Sequence, residues 1–94
     1  MGFRDAKRRV IQALKGSVFQ HAVRGEIDEK DLLHSGVVTK EEVLEIVKMC
    51  NGTHHTETPH HLDGSIVVHV LKRDGWYIKF YFVDTNAFFI SVHK

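Results

Sequence analysis

The chain has 94 residues, 43% of them hydrophobic and 27% charged, with a formal net charge of +1 and eight histidines. That length holds one domain, its composition speaks against disorder, and the near-neutral balance does not by itself mark a nucleic-acid binder. No apolar run is long enough to cross a membrane and no secretory leader opens the chain; the single cysteine, Cys50, excludes an internal disulfide and a Cys-based zinc site, so a cytoplasmic, reducing location without a membrane partner is expected.

Phe3, Lys7, Val10, Ile11 and Leu14 recur at three- and four-residue spacing and predict a helix from Phe3 to Leu14, stopped at Gly16. Arg4, Arg8 and Lys15 fall off that stripe, as a solvated basic face or as a face that contacts phosphates. Ser17 to Val23 reads as an extended segment or edge strand. Asp28 to Leu33 reads as a short helical turn with Asp28 as its cap, inside an acidic patch that runs from Glu26 to Asp31. The best-marked helix spans Thr39 to Met49: Thr39 and Glu42 stand at capping-box spacing, and Val43, Ile46, Val47 and Cys50 form its buried stripe. Asn51-Gly52 should end it in left-handed geometry.

Gly52 to Gly64 is polar and carries two histidine pairs, His54-His55 and His60-His61, with Pro59 between them. It predicts an irregular connection or a strand interrupted at the proline. Beyond it, Ser65 to Lys72, Trp76 to Val83 and Ala87 to His93 are three strands joined by turns at Arg73-Asp74-Gly75 and Asp84-Thr85-Asn86. The expected architecture is α+β, with N-terminal helices packed on a C-terminal three-strand antiparallel meander.

Side chains alternate across a strand with period two. On that rule Trp76, Ile78, Phe80 and Phe82 face the core with Phe88, Ile90 and Val92, and with Ile66, Val68 and Val70. His69, Tyr77, Lys79, Tyr81, Ser91 and His93 then share the opposite face. A solvated sheet face is the blander account of that set, but these residue types also transfer protons and bind phosphates or bases. Cleavage of RNA by attack of the 2′-hydroxyl needs a base, an acid and a cation. Histidine suits the first two roles, which makes His69 and His93 the acid/base candidates. Lysine suits the third, hence Lys79. Tyr77 and Tyr81 would stack on bases or donate to phosphate. The competing chemistry is zinc or nickel bound by His54-His55 and His60-His61 with Glu57 and Asp63. Adjacent histidines on a strand point to opposite faces, so each pair would offer one ligand. Cys50, on a buried stripe at a helix C-terminus, is a poor nucleophile.

The run Gly75-Trp76-Tyr77-Ile78-Lys79-Phe80, followed by a turn and by Phe89-Ile90-Ser91-Val92-His93-Lys94, resembles the C-terminus of the motility quorum-sensing regulator toxins, which are RelE-like ribonucleases of toxin–antitoxin systems. The resemblance covers residues 40–94, and the remainder by element order. It implies a single RelE-like toxin domain over residues 1–94, with a sheet that cradles RNA. It places the family's catalytic tyrosine on Tyr77, its C-terminal catalytic lysine on His93, a polar residue of the first meander strand near His69, and a lysine after the central helix on His54 or His55. Family lysine and glutamine positions are therefore histidine here. The resulting expectation is a metal-independent endoribonuclease toxin of a type II system, with mRNA and a cognate antitoxin as partners and no cofactor. His55, His69, Tyr77, Lys79 and His93 would be catalytic. His54, His60, His61, Tyr81, Arg4, Arg8, Lys72, Arg73 and Lys94 would bind RNA. A non-catalytic nucleic-acid- or protein-binding domain and a His-rich metal-binding regulatory domain are the alternatives.

Overall fold

The structure, a computed structural model, describes residues 2–21, 32–60, 62–84 and 86–94, with the backbone alone at position 34. Ala6, Val10, Ala13 and Leu14 share one helical face, and these are the residues that α1 (Phe3–Gly16) buries. The helix ends one residue later than Gly16 suggests. Ser17 takes the left-handed turn at φ 55°, and its N–H points back to the carbonyls of Ala13 and Leu14. Strand β1 follows as Phe19–His21, the core of the expected extended segment; Ala22 and Val23 lie outside the described residues, as do Asp28 to Asp31 of the expected helical turn. The described part of that turn continues into α2 (Leu32–Ser35).

Thr39 caps α3 (Lys40–Met49) in the expected manner. The Glu42 N–H donates to Thr39 Oγ1 at 3.2 Å, and the Thr39 N–H donates to Glu42 Oε1 at 3.3 Å, so two otherwise orphaned donors are satisfied. The other end differs from expectation. Cys50 and Asn51 are extended rather than left-handed. The last carbonyls of α3 are instead met by a cation from α1: Lys7 Nζ donates to the carbonyls of Lys48 at 2.8 Å and Cys50 at 2.9 Å. Asn51 caps a 3-10 turn over Gly52–His54, and the chain enters β2 (His55–Pro59), which stops at the proline.

Strands β3 (Val67–Arg73), β4 (Trp76–Val83) and β5 (Asn86–His93) pair antiparallel with one another in sequence order. The fold is α+β, but the sheet is a mixed one of five strands rather than the expected three: its order is β1-β5-β4-β3-β2, with β2 antiparallel to β3 and β1 parallel to β5. The β3–β4 connection is a two-residue turn in which Asp74 (φ 51°) and Gly75 (φ 84°) both adopt positive φ, the geometry that matches the twist of the strands. It sets Arg73 opposite Trp76, Leu71 opposite Ile78 and His69 opposite Phe80.

That register corrects the expected faces of β3. Leu71 and His69 lie on the helix side with Ile78 and Phe80, while Val68 and Val70 pair with Tyr81 and Lys79 on the other side. A second correction comes from β5. Lys79 pairs with Ser91, but Phe80 pairs with Phe89, so Ile90 is an extra residue and the alternation reverses there. Phe89 and Ala87 enter the core, and Phe88 pairs with Tyr81 on the open face. The core is thus Leu71, Ile78, Phe80, Ala87, Phe89 and Val92 against Val10, Leu14, Val43 and Val47 of the helices. Val68, Val70 and Ile90 are buried outside that core, Val68 beside Tyr81 and Val70 beside Lys79 on the neighbouring strand.

Candidate functional site

The face of the sheet turned away from the core keeps six of the expected residues together, Lys72, Tyr77, Lys79, Tyr81, His93 and His60. Tyr77 and His93 are directly opposed on β4 and β5, with their rings stacked at 5.0 Å and 18°. Lys72, opposite Tyr77 on β3, holds its Nζ 5.5 Å from the Tyr77 ring centre. Lys79 lies two residues along β4, between Val70 and Ser91. The far half of the same face is aromatic: Tyr81 stacks on Phe88 at 5.3 Å and 7°, and the His60 ring meets Tyr81 edge-on at 5.0 Å. A histidine–tyrosine pair flanked by two lysines therefore runs into a flat aromatic patch. Stacking surface and cations in this alternation suit an extended single-stranded polyanion with planar bases.

Other expected site residues go elsewhere. Arg4 and Arg8 are exposed on α1, on the helix side of the sheet, where Arg8 pairs with Asp5 at 3.1 Å. Arg73 and Lys94 gather near Trp76 at the sheet end: Arg73 Nε is 3.4 Å from the Asp74 carboxylate, and Lys94 Nζ is 5.3 Å from the Trp76 ring centre. His54 sits in the 3-10 turn, where its Nδ1 accepts from the Asn51 N–H at 2.9 Å. His61 lies outside the described residues. Cys50 is buried, and desolvation pushes its thiol up, consistent with a structural thiol. Phe88 is the open-face residue that strand alternation missed. The bulge that exposes it has no mark in the local pattern.

His69 and His55 separate from this face and meet each other. His55 and Glu57, two residues apart on β2, point to the helix side and flank His69 of β3. His55 Nε2 and His69 Nδ1 share a hydrogen bond at 2.9 Å, one ring donating to the other, and Glu57 Oε2 is 3.9 Å from the same His69 nitrogen. His69 is 1% exposed, stacked on Phe80 at 5.4 Å and beside Phe82 at 5.7 Å. The Phe3 ring of α1 covers His55 at 5.4 Å.

Burial, aided by the neighbouring His55 and opposed by Glu57, pushes the His69 pKa down from 6.5 to about 4. The unfolded chain therefore takes up this proton near pH 6.5 while the folded chain resists it until about pH 4. Stability from this residue is complete above pH 6.5 and falls as pH drops toward 4, by about 3 kcal/mol in all. Urea midpoints measured in EDTA at pH 7.5 and 4.5 should differ far more for the parent than for His69→Phe; equal losses in both proteins would contradict the assignment.

The chain was compared with protein-family models, with curated proteins and with solved structures, and none matches. Among the described residues no helix is long and apolar enough to cross a membrane.

Proposed function

We propose that the open sheet face binds single-stranded RNA and cleaves it without a metal ion, as an endoribonuclease of the toxin type. The observation that carries this reading is the stacked Tyr77–His93 pair flanked by Lys72 and Lys79. His93 takes the proton of a 2′-hydroxyl, whose oxygen attacks the adjacent phosphorus. The P–O5′ bond breaks to leave a 2′,3′-cyclic phosphate, and the departing 5′-oxygen receives a proton, from Tyr77 on this reading. Lys79 and Lys72 offset the charge that builds on the phosphorane oxygens. Tyr81 and Phe88 hold the neighbouring bases by stacking. His55 and His69 have no part in this step, because they face the other side of the sheet.

The resemblance of residues 75–80 and 89–94 to the motility quorum-sensing regulator toxins supports the same reading. It adds a RelE-like fold, mRNA as substrate and a cognate antitoxin that covers the open face. The test is incubation of tag-free protein with a mixed RNA in EDTA, with end-group analysis of the fragments. Cyclic phosphate ends are expected. RNA that is bound but remains intact would reduce the function to binding alone, and RNA that is neither bound nor cut would remove both.

A further inference from the structure

The histidines that the open face does not use point to a second site. We propose that His55, Glu57 and His69 bind one divalent transition-metal ion of the zinc class and thereby tie the edge strand β2 to β3. His55 Nε2, His69 Nδ1 and a Glu57 carboxylate oxygen all lie within 4.8 Å of one another. An ion about 2.0–2.2 Å from each nitrogen and oxygen donor needs its ligands roughly 3–3.5 Å apart. The observed separations of 2.9 Å between the imidazoles and 3.9 Å from His69 to Glu57 bracket that distance. An ion would replace the hydrogen bond between the two imidazoles, with His55 and Glu57 closing on it; Glu57 is exposed and its carboxylate can swing inward, whereas His69 is packed against Phe80 and Phe82.

The donor set decides the class of ion. Two imidazoles and one carboxylate suit zinc, nickel or cobalt and do not suit magnesium or calcium, which require oxygen ligands. Glu57 offsets part of the charge of the ion. Three protein donors leave a tetrahedral ion one position for water. The ligands come from positions two apart on β2 and from the residue of β3 that pairs with Glu57, so an ion here would clasp a strand whose residues after His55 are all exposed.

The experiment uses the tag-free full chain stripped with EDTA and then dialysed against Zn2+ in excess Mg2+. One equivalent of zinc should be retained, with a rise in melting temperature that grows with zinc concentration. His55→Ala and Glu57→Gln should each weaken zinc binding at least about tenfold, since loss even of an outer-shell partner costs that much. Both positions are at least partly exposed, so both variants should keep the parental circular dichroism spectrum. His54→Ala and His60→Ala should retain the full equivalent. The proposal is overturned by less than one equivalent bound, by unchanged affinity in His55→Ala and Glu57→Gln, or by equal losses in His54→Ala or His60→Ala, which would mean scattered surface binding. RNA cleavage is assayed in chelator, so either proposal can fail without the other.

Discussion

Replacing His93 by alanine should lower RNA cleavage about 10²–10⁴-fold, the range lost with a general acid or base, while the melting temperature stays within a few degrees of the parent. His93 is half-buried at the end of β5, and its ring rests on Tyr77 rather than in the core. Truncation therefore removes a proton acceptor and one face of a stack without opening a cavity. Affinity for a short single-stranded RNA should fall only a few-fold. Tyr77→Ala should weaken affinity more, because it removes the ring that both His93 and Lys72 rest against as well as the proton donor. The pattern to look for is a loss concentrated in kcat for His93 and divided between kcat and affinity for Tyr77. Parental cleavage rates in His93→Ala would show that the chemistry lies elsewhere.

The second large effect concerns two adjacent phenylalanines. Phe89 is fully buried, edge-on to Phe19 at 5.6 Å and tilted against Phe80 at 5.9 Å. Phe89→Ala should cost about 3–5 kcal/mol, a large share of the roughly 5–15 kcal/mol that holds a domain together. At about 4–8 °C per kcal/mol for a chain of this size, the melting temperature should fall by tens of degrees. Phe88, half-buried against Tyr81 on the open face, should cost no more than about 1–2 kcal/mol on the same substitution, near the typical value for a point change. Urea unfolding of the two variants measures the difference directly. If Phe88→Ala were the more damaging, the bulge at Ile90 would be misplaced.

Much of the frame is legible in the sequence itself. The Thr39–Glu42 capping box, the helix from Phe3, and the strand from Trp76 to Val83 each rest on short-range chemistry, and each is present. Sequence and structure part where a strand offers two apolar sets for one face. In β3, Ile66, Val68 and Val70 compete with Val67, His69 and Leu71, and hydrophobicity alone prefers the set without histidine. The deciding signal was the two-residue turn at Asp74-Gly75, which fixes Leu71 opposite Ile78 and carries His69 inward. In β5 no comparable signal exists, because a bulge depends on the partner strand as well as on its own residues. The candidate site was half legible for the same reason. Tyr77, Lys79 and His93 follow from β4 and the last turn of β5, beyond the reach of either error. His69 and His55 could be brought together only by the pairing of β2 with β3, a contact between segments whose spacing the sequence does not encode.

The parallel pairing of β1 with β5 has a consequence for how the chain opens. Phe19 is hydrogen-bonded neighbour to Ala87, so the segment following the first helix is held by the last strand. Peeling β5 away would strip β1 of its one sheet neighbour among the described residues and remove Ala87, Phe89 and Val92 from the core shared with α1. The two ends of the molecule therefore behave as one cooperative unit, and their amides should exchange with solvent together. The edge strand β2, on the opposite side of the sheet, belongs to a separate unit that can fray while β1 and β5 remain closed.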